Sequence, residues 1–196
     1  MTNREVKLGF VRLAAERYFS AATAAVRRCD PNHLILGIRF AGLNGAPDSV
    51  WEVAGKYCDV ISVNDYPAAD LTTGEIRTWR KESFVGKWTD RQRLTGRPMF
   101  LSEWSFVATD AEPPCKHGPG QRFKTQAERA RAAELLARTV LSMPFMIGYD
   151  FFMWVDDPPE GFSSANPEDG NYGLVSERGV PYPIADALKN VQRNAK

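Results

Sequence analysis

Cysteine is scarce in this chain. Its 196 residues include three, Cys29, Cys58 and Cys115, with no Cys-x-x-Cys pair, which argues against a disulfide framework and against a zinc ribbon. Histidine is scarcer, with His33 and His117 both in loop-like segments. No His/Cys/Asp cluster has metal-ligand spacing. No apolar run nears the roughly 18 residues that span a bilayer, and the charged opening Met-Thr-Asn-Arg-Glu-Val-Lys holds no apolar signal core. As written, the chain is expected in the cytoplasm, although a longer parent could be secreted. Net charge is also lacking: 25 Lys+Arg against 24 Asp+Glu leave +1. No global field favours nucleic acid or an anionic membrane, and neither is expected as a partner. Gly118-Pro-Gly120 has neither the strand-to-helix setting nor the Lys-Ser/Thr of a phosphate loop, and no Gly-x-Ser-x-Gly elbow occurs.

What is present is an ordinary globular balance, 43% hydrophobic and 25% charged, enough for one unit over residues 1–196. A proline-free segment, 4–28, reads as a helix with Val6, Phe10, Leu13, Ala14, Ala21 and Ala25 near one face, stopped by Asp30-Pro31. Four apolar runs follow: 34–40, 59–66, 99–106 and 146–155. Each reads as a strand, the first of them buried on both faces. Between them the sequence predicts a short helix at 49–57, capped by Asp48 or Ser49, and a helix within 75–95. A further helix runs to about 142 from the capping box Thr125-Gln-Ala-Glu128, and the last covers 183–194 after a proline-rich loop at 156–182. Strands alternating with helices give an α/β class with a parallel sheet.

In such sheets ligands meet the carboxyl ends of the strands. Those ends carry Arg39, then Asn64-Asp65-Tyr66, then Glu103-Trp104, then Trp154 with Asp156-Asp157. Indoles that stack on C–H faces, beside carboxylates and fork donors, suit a carbohydrate ring. Glu103 stands out, because a charge late in an apolar run is costly without a role or a partner. It reads either as a catalytic carboxylate or as a strand-end glutamate paired with Arg39 or a lysine. Trp104 and Trp154 read equally as core or as sugar platforms. Asp156-Asp157 before Pro158 is turn chemistry first and ligand binding second.

Taken in order, these motifs resemble the second half of a clan A retaining glycoside hydrolase, nearest to the β-agarase-like enzymes of family 50. Asp30-Pro-Asn-His-Leu-Ile-Leu-Gly-Ile-Arg-Phe40 is similar to the fifth strand of their (β/α)8 barrel, and Asp59-Val-Ile-Ser-Val-Asn-Asp-Tyr66 to the sixth. Pro98-Met-Phe-Leu-Ser-Glu-Trp-Ser-Phe106 resembles the seventh, and Gly148-Tyr-Asp-Phe-Phe-Met-Trp-Val-Asp-Asp-Pro158, with Asn171-Tyr-Gly-Leu-Val175, the eighth and its loop. The resemblance implies four βα units, strands 5–8 of a TIM barrel. Glu103 would be the nucleophile, with Tyr66 orienting it, and Arg39, Asn64, Trp104, Trp154 and Asp156 would contact substrate. Two departures weigh against inheriting specificity: Asp150-Phe151-Phe152 replaces a His-Trp-Phe-like start, and Asp156-Asp157-Pro158 replaces Asp-Gln-Pro.

The family's acid/base glutamate follows an asparagine on the fourth strand, and no Asn-Glu pair occurs here. A full barrel takes about 250 residues. The expectation is therefore the nucleophile half of a site for a β-linked polysaccharide, acting with a complementary N-terminal half-barrel or as a homodimer; the resemblance implies no metal or organic cofactor, since glycosyl transfer to water needs only two carboxylates. The rival expectation is a non-catalytic carbohydrate-binding half-barrel.

Overall fold

The computed structural model of the chain describes residues 2–113, 115–161 and 168–194. In chain order its elements are α1 (Asn3–Cys29), β1 (Arg39–Ala41), α2 (Asp48–Tyr57), β2 (Ile61–Asn64), β3 (Ala68–Asp70), β4 (Glu75–Arg77), α3 (Phe84–Thr95), β5 (Met99–Glu103), β6 (Val107–Ala108), β7 (Arg122–Phe123), α4 (Gln126–Ser142), β8 (Met146–Tyr149) and α5 (Pro183–Asn194). They form a mixed α/β chain that divides into two compact units. The first comprises residues up to Asp65, Gly86–Ser102 and Phe145–Gly148, and the second takes Tyr66–Val85, Glu103–Pro144 and the chain from Tyr149.

The first unit is built on a four-stranded parallel sheet in the order β1-β2-β5-β8, the order in which the four apolar runs occur in the chain. Its register is set where Arg39, Phe40 and Ala41 lie opposite Ser62, Val63 and Asn64 in parallel. Phe40 stacks on Trp51 of α2 at 4.0 Å between ring centroids, and Val53, Ile61, Val63, Trp88, Met99 and Leu101 complete a dry core. Gly55 is required here, because a Cβ would drive into the backbone of Thr95 where α2 meets α3.

Three expectations for this unit change. The run 34–40 forms a regular strand only from Arg39. Leu34, Leu36 and Ile38 face solvent while Ile35 is covered, so the run is buried on one face, not two. Gly37, at φ 70°, breaks its pleat. Helix α2 starts at Asp48 with Pro47 as its cap residue and no side-chain cap; Asp48 instead receives a 2.5 Å bond from Arg91. Helix α1 opens with a capping box between Thr2 and Glu5, yet its expected core face is open, with Phe10 70% and Leu13 58% exposed. Of its 27 residues only Phe19 is buried. Polar contacts to α2 hold it, including Tyr57 Oη donating to Glu16 at 2.7 Å.

The second unit rests on α4 packed against α5. Ala130, Ala133, Leu136, Ala137 and Val140 of α4 are buried, as are Ile184, Leu188 and Val191 of α5. The capping box at Thr125 forms as expected, with the Glu128 amide donating to the threonine hydroxyl at 3.2 Å. Where a helix was expected from residue 75, the chain first makes the β3–β4 hairpin. Asp70 accepts from the amides of Thr72 and Thr73, and Gly74 takes φ 74°, turn chemistry that outweighs helical spacing. Gln121 answers both backbone groups of Ala69, accepting from its amide at 2.6 Å and donating to its carbonyl at 3.0 Å. The loops expected at 107–124 and 156–182 are largely irregular; Val107 and Ala108 pair in parallel with Arg122 and Phe123, and residues 162–167 lie outside the described residues.

Candidate active site

In the second unit, Glu103 and Tyr66 come together. Glu103 is the last residue of β5, half-buried after Met99 and Leu101, which are fully covered. Tyr66 follows the end of β2 and precedes Pro67, which holds it extended. Its phenol donates to Glu103 Oε1 at 2.7 Å. Burial, and then the bond to Glu103, push the Tyr66 hydroxyl well above its ordinary pKa, so it remains a donor at any working pH. Gly120, at φ 90°, passes close to Tyr66; a Cβ there would lie 3.0 Å from the Ser105 carbonyl and 3.5 Å from the tyrosine ring.

Arg39 and Asn64 are brought together in the first unit. Arg39 donates through Nε to Asn64 Oδ1 at 3.0 Å and through Nη2 to the Ser102 carbonyl at 2.7 Å. Asn64 Oδ1 also accepts from Ser102 Oγ at 2.9 Å. The network fixes the Asn64 amide, since an oxygen accepting two donors cannot be the nitrogen. It also ties down the backbone immediately before Glu103.

The two indoles separate. Trp154 is 71% exposed, whereas Trp104 is fully buried, edge-on to Phe106, Tyr149 and Phe151. Among the described residues the Trp104 N–H has no hydrogen-bond partner. Asp156 is buried with both oxygens engaged: Oδ1 accepts from the Gly173 amide at 2.9 Å and Oδ2 from Tyr182 Oη at 2.6 Å. Burial raises its pKa, against those two bonds. Its neighbour Asp157 is completely covered, and among the described residues neither carboxylate oxygen meets a hydrogen-bond partner of good geometry. Burial, with Glu168 nearby, pushes that carboxyl up to about 6.

Sequence reasoning missed Arg129, which sits below these residues with its side chain fully buried. It donates to the carbonyls of Phe106 at 2.7 Å and Gly173 at 2.9 Å, and its guanidinium lies over the rings of Tyr182 and Phe151. Burial lowers its pKa to about 10, opposed by the charge of Asp156. The signal was available: Arg129 lies four residues before Ala133 and seven before Leu136, on the apolar stripe of its helix. Among the described residues no group of three or more His, Cys, Asp or Glu could hold a metal ion.

With this geometry in view, the comparisons with known proteins carry weight. No family model matches the chain. Its sequence is 28% identical over 185 residues to β-agarase B of Vibrio sp. strain JT0107, covering 94% of this chain and 18% of that protein. It is also 28% identical over 176 residues to β-agarase A of the same strain, covering 87% and 16%. The chain is β-agarase-like. Among solved structures, an exo-β-agarase superposes with a TM-score of 0.81 at 27% identity, over all of this chain and 24% of that one. The agarase AgWH50C gives 0.80 at 29% identity, over 96% and 24%, and PfGH50B gives 0.80 at 26%, over 96% and 25%. This β-agarase-like, GH50-like chain thus spans less than a fifth of the curated relatives and about a quarter of these solved chains.

Proposed function

We propose that this chain carries the nucleophile half of a retaining glycoside hydrolase site, directed at a β-linked, galactan-type polysaccharide. Its four apolar runs correspond in this reading to strands 5–8 of a (β/α)8 barrel. The observation that carries the proposal is the 2.7 Å bond from Tyr66 to Glu103 at the carboxyl end of β5, the place where α/β sheets put their chemistry. Glu103 attacks the anomeric carbon as the glycosidic C–O bond breaks, forming a covalent glycosyl-enzyme. A second carboxyl, roughly 5–5.5 Å away, protonates the leaving oxygen and then deprotonates the water that releases the sugar. Tyr66 donates to Oε1 of Glu103 and so orients the carboxylate. Trp154 offers its exposed indole as the sugar platform, and Arg39 and Asn64 are assigned polar contacts to the substrate. Trp104 and Asp156, both buried, take a structural role in this reading.

The second carboxyl comes from a complementary N-terminal half-barrel. The open apolar surface on Phe10, Leu13 and Leu34 supports a polypeptide partner, because such surface usually marks an interface; a second copy of this chain is the other candidate occupant. The test is to combine the chain with a polypeptide bearing the first four βα units and assay agarose or a chromogenic β-galactoside. Turnover that disappears with Glu103→Gln supports the reading, and turnover unchanged by that substitution sinks it. Sugar binding without turnover in any combination favours the non-catalytic carbohydrate-binding alternative.

A further inference from the structure

The hairpin β3–β4 leads into a turn whose side chains the catalytic reading does not use. Thr78, buried, anchors it: its amide donates to the Glu82 carbonyl at 3.0 Å, its carbonyl accepts from the Lys81 amide at 2.8 Å, and its hydroxyl accepts from the Glu82 amide at 3.1 Å. An antiparallel bridge between Arg77 and Ser83 closes the turn at its base. Lys81 is held at φ 65°, a conformation costly for a side-chain-bearing residue. This rigid frame displays Trp79 with 70% of its surface in water, whereas Trp51, Trp88 and Trp104 are wholly covered. The Arg80 guanidinium sits 5.5 Å from the Trp79 ring centroid, covering one face and leaving the other open. Arg77 pairs with Glu75. Among the described residues neither Arg80 nor Lys81 has an acidic partner, although the chain carries nearly as many acidic as basic residues.

We propose that the turn Thr78–Glu82 is a carbohydrate subsite selective for sugars that bear an anionic substituent. The open face of Trp79 stacks on the C–H face of a pyranose ring, as indoles do with apolar ring faces. Arg80, pre-set by its stacking on the indole, takes the oxyanion in fork geometry. Lys81 adds a second positive charge from the next position. The recognised chemistry is a pyranose carrying a sulfate ester or a carboxylate. This rests on the carbohydrate reading of the chain and narrows it from neutral to anionic polymers.

The test compares three ligands on the full chain by calorimetry and tryptophan fluorescence: a sulfated galactan oligosaccharide, a uronate-containing oligosaccharide and a neutral agaro-oligosaccharide. At low salt at least one anionic ligand binds about tenfold or more tighter than the neutral one, and that advantage collapses at high salt. The double substitution Arg80→Gln/Lys81→Gln removes the advantage, while Trp79→Ala weakens every ligand by about tenfold, equivalent to about 1.4 kcal/mol. Unchanged melting temperatures, expected at these exposed positions, confirm that the variants fold. Which anionic ligand responds tells sulfate from carboxylate. Equal affinity for neutral and anionic ligands, or wild-type binding by Trp79→Ala, overturns the proposal. Glu103→Gln keeps the binding preference, so loss of this subsite and loss of the hydrolase reading register in separate assays.

Discussion

In the first unit the sheet backbone pairs in a ladder, with Arg39, Phe40 and Ala41 opposite Ser62, Val63 and Asn64, and side chains such as Arg39, on the Ser102 carbonyl, add to it. In the second unit, long loops run through covered surroundings, and side chains answer the backbone one group at a time. Asn171 accepts from the Ala108 amide at 2.8 Å, Asp169 from the His117 amide at 2.7 Å, and Asp156 from the Gly173 amide. Arg122 donates to the carbonyls of Cys115 and Gly118, and Tyr172 to that of Pro119. A ladder is indifferent to which residues form it, whereas each of these bonds requires one particular side chain. The second unit is therefore the more sensitive to substitution, and it is also the one that holds Tyr66 and Glu103.

The sharpest way to break this contrast is Arg129→Met, which leaves the Phe106 and Gly173 carbonyls unanswered and the buried Asp156 without its nearby cation. A loss of about 3–5 kcal/mol in denaturant unfolding is expected. Amides of the second unit should lose hydrogen-exchange protection before those of the sheet. A loss under 1 kcal/mol would mean the side-chain lattice matters less than its geometry says. In the first unit the matching probe is Gly55→Ala, which needs α2 and α3 to separate; a cost of about 1–3 kcal/mol, with a lowered melting temperature, is expected.

Asp157→Asn should move stability the other way. With its folded pKa near 6 against about 4 when unfolded, Asp157 binds more protons in the native state between those values. Its contribution is therefore most favourable below about pH 4 and is lost as pH rises through 6. The asparagine variant should gain roughly 1–3 kcal/mol at pH 7–8 and almost nothing at pH 4, which thermal melts at the two pH values would read directly. Finally, the same capping box occurs in both units, at Thr2 and at Thr125. Thr125→Ala should cost about 1 kcal/mol, because α4 is packed along its length. Thr2→Ala should leave global unfolding nearly unchanged, because α1 buries one residue and frays locally. Equal costs would erase the distinction drawn between the helices.

Much of the α/β order was legible because short apolar runs and the Thr125 box are local signals. The place of Glu103 at the end of β5 was legible because a lone carboxylate ending an apolar run stands out in the sequence. The hairpin at 68–77 was not, since its three-residue strands are too short to show a period and its turn depends on the Asp70 side chain. The face of α1 read as core because spacing reports that a helix has an apolar side, not that the chain contains anything to cover it. Arg129 and the bonding partners of Asp156 escaped for the opposite reason. The partners lie 23 to 44 residues away along the chain for Arg129, and 17 and 26 for Asp156, beyond any local pattern.

The double bond between Gln121 and Ala69 has a further consequence. Ala69 lies opposite Ile76 within the hairpin, and its outward N–H and C=O are the groups an incoming strand would seize. The Gln121 carboxamide imitates a single rung of such a strand and plugs that position. The hairpin is thereby denied as a template for edge-to-edge aggregation, a guard that other edges gain from lysines, prolines or bulges. Gln121→Glu would keep the acceptor and lose the donor, reopening half of the plug.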